Sequence, residues 1–423
     1  MSALPRRGFL GLAPEDRGGA VVVSALAPGA PAARADLMVG DAIVEHDGAA
    51  ITDATTFRER LSTLRAGDTA RLTIERDDDV FAVDLVADAR PAERYEGLAV
   101  RYGEARNGTV RLRTIAVSPE GEGPWPCVYF VQGYGVASVE RPEGVRAADA
   151  LRGLVEALAR EGFCVWRTEK RGAGDSDGPP CADARFEDER EDFAAGLRAL
   201  FADPWVDKGD VTIFGHSVGA LHAPVLARRD RRVAAVALYG AGLHPWSEYL
   251  VENARRQCAL AGVDDDEAGR IAMVVERFAR EALIEGLSLD ECFARWPELG
   301  ASKSALGVDA RGRVHERTIE YWRGVERDDV AGELRRVGVP LLALWATADW
   351  LSTRDEHRSI ARLCGGRFVE VVDADHGFFS HPSQKASYEA RWSGRFQPRV
   401  AGELVAWLSS LRRNRTGEHR TDR

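Results

Sequence analysis

The sequence predicts an α/β protein with a mostly parallel, doubly wound sheet and a helical cap, preceded by a small β-rich domain. Residues 126–377 contain apolar strand candidates that each end in a polar or glycine-rich loop and alternate with helical stretches. This pattern is typical of a parallel sheet covered on both faces. Residues 8–87 instead show short strands and brief helices. Residues 243–330 follow helical patterns alone, which predicts an inserted cap.

Length and composition describe a chain of two globular domains. The 423 residues exceed the usual size of one domain, and 45% of them are hydrophobic against 29% charged. The net charge of −10 argues against nucleic-acid binding, because the chain has no basic surplus to neutralise phosphates. The sequence has no apolar run of the about 20 residues that a membrane span needs, so we expect none.

The cysteines and the first residues favour a cytoplasmic location. The six cysteines have no CxxC or paired spacing, as expected of reduced thiols, and we predict no metal site from them. Arg6 and Arg7, followed by Phe9 and Leu10, have the form of a twin-arginine export signal. Three charges in the next segment, PEDRGG, interrupt the apolar stretch that such a signal requires.

The N-terminal module combines short strands with one amphipathic helix. GFLGL (8–12) and AVVVSAL (20–26) are strand candidates, and ATTFRERLSTLRAG (54–67) is apolar on one helical face. TARLTIER (69–76) and VFAVDLV (80–86) supply two final strands.

This order resembles a PDZ domain of the type attached to bacterial envelope proteases. The resemblance rests on GFLGL, GAPAAR and LMVGDAIVEHDG and covers residues 1–90, with a linker at 91–100. It implies a groove between one strand and the 57–64 helix, where a peptide C-terminus adds as an extra strand. It also implies that the carboxylate of that peptide is bound by backbone N–H groups of Gly8, Phe9, Leu10, Gly11 and Leu12. The alternative is a module that binds no peptide and only packs against or shields its neighbour.

A larger domain is predicted from residue 101 to residue 412, before a disordered tail at 413–423. An Asn-Gly turn at 107–108 joins two alternating segments, which predicts an antiparallel entry pair. Continuous apolar strand candidates follow, in the order PCVYFVQGYG, GFCVWRTEKRGAGDSDG, VTIFGHSVG, VAAVALYGAG, PLLALWATADW and RFVEVVDADHG. Functional residues of such a sheet collect at the carboxyl ends of its strands.

Three residues with complementary chemistry follow such strands in the order Ser217, Asp349, His376. Ser217 lies within Gly-His-Ser-Val-Gly, between a buried strand and a helix. A serine hydroxyl is a weak nucleophile at neutral pH and needs an imidazole to accept its proton. The imidazole in turn needs a carboxylate to fix its tautomer and stabilise its charged form. We therefore predict Ser217 as nucleophile, His376 as base and Asp349 as the orienting acid.

Other residues compete for these roles. His381 is the main alternative to His376, while His216 and His222 beside the serine are expected to be packing residues. The alternatives to Asp349 are Asp355, Asp373 and Asp375. Position at the end of a predicted strand favours Asp349 and His376.

An oxyanion site is expected beside the serine. The Val218 backbone N–H follows the nucleophile, and the loop after VYFV, Gln-Gly-Tyr-Gly at 132–135, would supply a second donor from Tyr134.

These motifs together resemble the α/β-hydrolase superfamily, in its esterase and serine-aminopeptidase group. The motifs are QGYG, KRGAGDSDG, GHSVG, ATADWLS and DADHGF, spread over residues 100–412. Many relatives have His-Gly where this chain has Gln132-Gly133, which puts the anchoring of that loop in question. The resemblance implies that the 243–330 insertion covers the serine. Candidate substrate-binding residues there are Trp246, Tyr249, Trp322 and His315.

The sequence therefore predicts a serine hydrolase that cleaves a carboxylic ester or thioester through an acyl-enzyme intermediate. Its partner would be a small-molecule acyl substrate, and no metal or organic cofactor is expected. One alternative is a peptidase or aminopeptidase-like enzyme that selects peptides through its PDZ module. Another is a non-catalytic PDZ scaffold, which the intact set of three residues disfavours.

Overall fold

The computed structural model describes residues 4–77, 79–143 and 149–416, and the chain divides into two compact units, Met1–Ala92 and Glu93–Arg423. The helices of the first unit are α1 (Pro31–Arg34) and α2 (Ala54–Thr63). Its strands are β1 (Gly8–Phe9), β2 (Leu12–Arg17), β3 (Ala20–Leu26), β4 (Ala42–His46), β5 (Ala49–Ala50), β6 (Thr69–Arg76), β7 (Asp79–Val86) and β8 (Asp88–Ala89).

The first unit is an antiparallel sheet in the order β2-β3-β4-β6-β7, with β5 on β4 and a separate β1-β8 pair. Along β6 the residues Ala70, Leu72 and Ile74 are buried and alternate with more exposed neighbours, as a half-buried strand requires. Phe57 from α2 completes this core with no exposed surface. The predicted β-rich first domain is confirmed.

The predicted strand GFLGL is interrupted in the structure. Gly11 adopts φ +76°, and a Cβ there would lie 2.0 Å from Cβ of Ala30. This left-handed turn separates β1 from β2, which continues through PEDR to Arg17.

The second unit contains an eight-stranded sheet in the order β16-β15-β14-β13-β11-β12-β10-β9. Strands β9 and β10 form the antiparallel entry pair, β10 joins β12 antiparallel, and the remaining neighbours are parallel. The strands are β9 (Leu98–Asn107), β10 (Val110–Pro119), β11 (Trp125–Val131), β12 (Cys164–Thr168), β13 (Val206–His216), β14 (Ala235–Tyr239), β15 (Leu341–Ala346) and β16 (Arg367–Val371).

Helices cover both faces of this sheet, which confirms the predicted doubly wound α/β class. One core joins the sheet to α3 and α14, and a second core joins it to α4, α5, α11 and α12. On β13, Phe214 belongs to the first core and Ile213 to the second, because successive strand residues point to opposite faces. These helices are α3 (Ala150–Arg160), α4 (Phe186–Ala202), α5 (Gly219–Arg229), α11 (Val330–Arg335), α12 (Arg354–Cys364), α13 (Gln384–Ala390) and α14 (Arg399–Thr416).

The segment predicted as a cap is helical and has its own apolar cluster, which includes Phe278, Cys292, Tyr321 and Trp322. A short π-helical segment, Ala279–Ile284, continues α7. The cap helices are α6 (Trp246–Ala261), α7 (Asp265–Phe278), α8 (Leu289–Arg295), α9 (Pro297–Ala301) and α10 (Ile319–Glu326).

The boundaries differ from the sequence prediction at two places. Residues 93–100, predicted as linker, belong to the second unit, because the Glu93 carboxylate is buried against Arg167 at 2.7 Å and β9 begins at Leu98. The predicted tail begins inside α14, which extends to Thr416, and residues 417–423 lie outside the described residues. Over the ranges that the structure describes, no helix combines the length and apolarity needed to span a membrane.

Candidate functional site

Ser217 lies at the junction of β13 and α5 in a left-handed conformation, with φ +56°. Only glycine fits at the positions two residues before and two residues after it. A Cβ at Gly215 would lie 2.7 Å from the Gly219 carbonyl oxygen, and a Cβ at Gly219 would lie 2.1 Å from the Val131 carbonyl oxygen. The strained turn therefore depends on close approach of strand, helix and neighbouring strand, and it exposes the serine at the end of the sheet.

Asp349 and His376 follow β15 and β16, and their side chains are hydrogen bonded. His376 Nδ1 lies 2.9 Å from Asp349 Oδ2, and both residues are buried. The same carboxylate accepts from the Leu351 and Ser352 backbone N–H groups at 2.7 and 3.1 Å, and from the Ser352 hydroxyl at 2.5 Å. These bonds fix the carboxylate, which in turn fixes the imidazole.

Burial and pairing have opposite effects on the pKa values of Asp349 and His376. Burial favours the neutral Asp349 carboxyl, but the charge of His376 and the hydrogen bonds lower its pKa to about 2. Burial favours the neutral His376 ring, but attraction and hydrogen bonding from Asp349 outweigh it and raise the pKa of His376 above 6.5. Pairing therefore has the larger effect on the pKa of both residues.

Ser217 and His376 line one cavity of about 900 Å³. Gly240, at φ +62°, leaves room for the imidazole, since a Cβ there would lie 2.6 Å from His376 Cε1. The Ser217 hydroxyl forms no hydrogen bond with another described residue, and neither does His376 Nε2. Both groups are thus available to a ligand in the cavity.

Two backbone donors border the same serine. The N–H groups of Val218 and Tyr134 donate to no described residue, and both residues line the cavity. Gly133 lies against the serine, since a Cβ there would lie 3.0 Å from Ser217 Cβ and 3.3 Å from its Oγ. Unpaired N–H groups beside a nucleophile are the arrangement that an oxyanion site requires.

The loop that carries Tyr134 is anchored by two buried cations that the sequence analysis missed. Lys170 Nζ donates to the Gly133 carbonyl at 2.5 Å and to the Gly135 carbonyl at 3.2 Å. Arg317 Nε donates to the Tyr134 carbonyl at 2.7 Å. These contacts anchor the loop, although Gln132 stands where many relatives have a histidine. The available signal was Lys170 itself, a lysine two residues after a strand whose residues are all buried.

The competing histidines have structural partners. His216 Nε2 lies 2.8 Å from the His376 carbonyl oxygen, and burial lowers the pKa of His216 to about 3. His222 lies 3.4 Å from Glu189, and burial lowers its pKa to about 4. His381 lies 2.9 Å from the Ser393 carbonyl, away from Asp349.

Asp375 and Asp373, two of the alternatives to Asp349, have partners other than His376 Nδ1. Asp375 accepts from the Ser387 hydroxyl at 2.8 Å and from the Phe379 N–H at 2.8 Å. Asp373 faces Arg399 at 3.7 Å.

The four cap residues predicted to bind substrate all line the cavity. The rings of Trp246 and Trp322 stack with centroids 4.5 Å apart and planes 8° apart, and Tyr249 stacks on Trp246 at 4.6 Å. His315 lies edge-on to Trp322 at 6.3 Å, and burial lowers its pKa. The result is an aromatic wall with one neutral imidazole.

In the first unit, the predicted carboxylate loop is only partly available. The Gly8 N–H donates to the Leu64 carbonyl at 2.8 Å, so it is not available to bind a peptide carboxylate as predicted. The Gly11 carbonyl accepts from Ala27 and the Ala13 carbonyl from Ser24, so both face β3. Alternation then places the backbone groups of Leu12 and Pro14 on the open edge of β2.

Comparison with known families matches each unit. A family model described as alpha/beta hydrolase fold matches residues 128–381, more than half of the chain, and one described as PDZ domain matches residues 8–86. The PDZ and α/β-hydrolase families predicted from the sequence are thereby confirmed.

Solved structures show similarity at low identity, and no curated protein matches the chain. An esterase of Pyrococcus furiosus is 16% identical, with a TM-score of 0.46 over 77% of this chain and 97% of that one. Est1E from Butyrivibrio proteoclasticus, solved with ferulic acid, is 16% identical, with a TM-score of 0.47 over 73% and 99%. DcsB in complex with its substrate analogue is 17% identical, with a TM-score of 0.46 over 75% and 99%.

Proposed function

The chain belongs to the alpha/beta hydrolase fold family, and we propose that it is a serine hydrolase that cleaves carboxylic esters or thioesters through an acyl-enzyme. One observation carries the proposal. Ser217, strained at the strand–helix junction, faces the same cavity as the hydrogen-bonded pair of His376 and Asp349.

In the first half of the reaction, Ser217 Oγ attacks the ester carbonyl carbon while its proton passes to His376 Nε2. Asp349 stabilises the imidazolium that forms. The carbonyl oxygen becomes an oxyanion, which accepts from the Tyr134 and Val218 N–H groups. Collapse of the intermediate breaks the bond to the leaving alcohol or thiol, which takes the proton from His376.

In the second half, water replaces the leaving group. His376 removes a proton from the water as it attacks the acyl carbon, and a second oxyanion forms in the same site. The intermediate then expels Ser217, whose oxygen recovers the proton from His376. The products are the free acid and a regenerated enzyme.

The cavity favours apolar acyl or alcohol groups over peptide termini. The charged side chains that line it within the described residues are already paired: Arg141 with Asp149 at 3.2 Å, Asp328 with Arg190 at 2.8 Å, and Asp329 with Arg336 at 3.0 Å. A peptidase that captures a terminus needs an opposite charge that is free to bind it. The stacked Trp246 and Trp322 rings instead offer a flat apolar surface.

For the first unit, the proposed ligand is a peptide C-terminus at the edge of β2. The support is the position of β2 at the edge of its sheet, beside α2. Strand addition at such an edge is how PDZ domains bind peptides.

A fluorophosphonate probe and a substrate panel test the enzymatic proposal. We expect the purified full chain to be labelled, and to hydrolyse p-nitrophenyl esters faster than aminoacyl anilides. Ser217→Ala should lose both labelling and turnover, whereas Ser304→Ala, at an exposed turn, should retain both.

Other results would overturn parts of the proposal. Turnover of anilides with negligible ester cleavage would identify the peptidase alternative. A folded wild type that neither reacts with the probe nor turns over any ester would identify a non-catalytic scaffold.

A further inference from the structure

The oxyanion loop is backed by a buried cluster in which two cations share one anion. Lys170 Nζ lies 2.9 Å and Arg317 Nη2 lies 2.5 Å from the same Glu189 oxygen, Oε2. All three side chains are at most 1% exposed. The other Glu189 oxygen accepts from the Tyr321 hydroxyl at 3.1 Å and contacts neutral His222 at 3.4 Å. The cluster therefore carries an excess positive charge behind the loop.

Lys170 has the contacts of an ammonium ion: burial lowers its pKa, and attraction to Glu189 opposes that effect. Its contacts are the Gly133 carbonyl, the Gly135 carbonyl and Glu189, which match its three donors. A charged donor makes a hydrogen bond roughly twice as strong as a neutral one. Inside a protein such a bond is also strengthened by the low dielectric constant.

The peptide unit that Lys170 contacts is the one that carries the proposed oxyanion donor. The Gly133 carbonyl and the Tyr134 N–H belong to a single planar group, in which they point in opposite directions. An ammonium at the carbonyl oxygen therefore polarises that group and strengthens the N–H as a donor. Arg317 fixes the next carbonyl, that of Tyr134, so the orientation of the peptide unit is held from both sides.

We propose that Lys170 is a positioning residue that activates the Tyr134 N–H through the 133–134 peptide, with Arg317 of the cap segment holding the same loop in place. This inference rests on the proposed esterase function. It also assigns a second task to the cap: the segment before α10 completes the oxyanion site as well as covering the cavity.

Lys170→Met, which keeps the length of the side chain but removes its charge, tests the inference. We expect kcat for a p-nitrophenyl ester to fall between about tenfold and about a hundredfold with little change in KM, less than the loss of a whole oxyanion donor. Lys385→Met is the matched control. It makes the same substitution at an exposed lysine that pairs with Glu389 at 3.6 Å and does not contact the loop, and it should leave kcat within about twofold.

Binding of two ketones separates activation from loss of structure. A trifluoromethyl ketone forms a tetrahedral oxyanion on serine, whereas the matching methyl ketone binds as a neutral ligand. Lys170→Met should weaken the trifluoromethyl ketone by about the factor lost in kcat/KM and leave the methyl ketone unchanged. Equal weakening of both ketones would overturn the inference, because it would indicate a collapsed site.

Lys170→Gln provides a second variant if the methionine form does not fold. Glutamine still donates to the Gly133 carbonyl but without charge, so we expect a smaller loss of kcat than with methionine. An active wild type whose Lys170 variants retain full kcat would overturn this inference alone. A wild type without ester turnover would instead overturn the proposed function.

Discussion

The two units of the chain differ in where they hold their charges. Among the described residues up to Ala92, the buried ionisable side chains are Asp41 and His46. The second unit buries Lys170, Glu189 and Arg317 behind one loop, and Asp349 with His376 beside the serine.

The difference follows from the functions proposed for them. Strand addition uses backbone groups at a sheet edge, which need no buried charge. Ester hydrolysis needs fixed charges and dipoles in a site of low dielectric constant. Single side chains should therefore have large effects on the second unit and small effects on ligand binding by the first.

The largest effect is expected at the buried acid. Asp349→Asn should lower kcat by about 10⁴-fold, because an amide stabilises the wrong imidazole tautomer and cannot stabilise the imidazolium. Steady-state ester hydrolysis measures the loss, and retained methyl ketone binding shows that the site is intact. A loss below tenfold would mean that Asp349 is not the orienting acid.

The next effect is steric and tests the turn at the nucleophile. Gly219→Ala should destabilise the second unit by at least about 2 kcal/mol, because its Cβ would meet the backbone carbonyl oxygens of Val131 and Gln132. Displacement of the serine should also cost about 10²-fold in kcat. Gly402→Ala is the matched control, since its Cβ meets nothing within 4 Å in α14, and it should stabilise by about 0.5–1 kcal/mol.

Tryptophan fluorescence measures this difference in the second unit alone, because all ten tryptophans lie in it. Unfolding midpoints for Gly219→Ala and Gly402→Ala that move in the same direction would contradict the close packing described at the turn.

A smaller effect on hydrolytic activity is expected from a change in pH. His376 must be neutral to accept the Ser217 proton, and Asp349 raises its pKa above 6.5. Activity should therefore fall as pH decreases through a midpoint above 6.5, by about tenfold per unit below it. In Asp349→Asn the main raising influence is gone, while burial and the attraction of Asp375 remain, so the residual activity should have its midpoint at a lower pH than in the wild type. A pH profile of kcat/KM that keeps the same midpoint in both proteins would contradict the pairing.

The smallest effect is expected in the first unit. Arg58 Nη2 donates to the Pro14 carbonyl at 2.5 Å, so it occupies an acceptor on the edge that an added strand would use. Pro14 also lacks an N–H for the same strand. Arg58→Met should free the acceptor and strengthen binding of peptides by about two- to fivefold.

Fluorescence anisotropy with the full chain measures that change, using labelled decapeptides that end in an apolar residue with a free carboxylate. Arg60→Met is the control, because Arg60 donates to the Ala49 carbonyl instead. Amidated peptides that bind as well as the free acids would show that the loop at Gly11 and Leu12 does not bind a carboxylate.

Much of this protein could be predicted from local pattern. Alternation and continuous apolar runs gave the sheet type in each unit, and Gly-x-Ser-x-Gly before a helix identified the turn at Ser217 because only glycine fits there. The pairing of Asp349 with His376 was also accessible, since parallel strands bring their carboxyl ends to one edge.

The tertiary structure alone decided the surroundings of the site. Lys170 and Arg317 lie far apart in the chain. The position of Lys170 after a buried strand indicates a buried lysine, but nothing local to either residue identifies the 132–135 loop as its partner. Their contacts arise where the cap segment returns to the sheet, and their charges are tolerated only because Glu189 and the loop carbonyls satisfy them. Likewise, the closure of the β2 edge by Arg58 depends on where α2 packs. Sequence thus determined the elements and the reacting groups through short-range sterics and periodicity, whereas long-range packing determined which charges became partners.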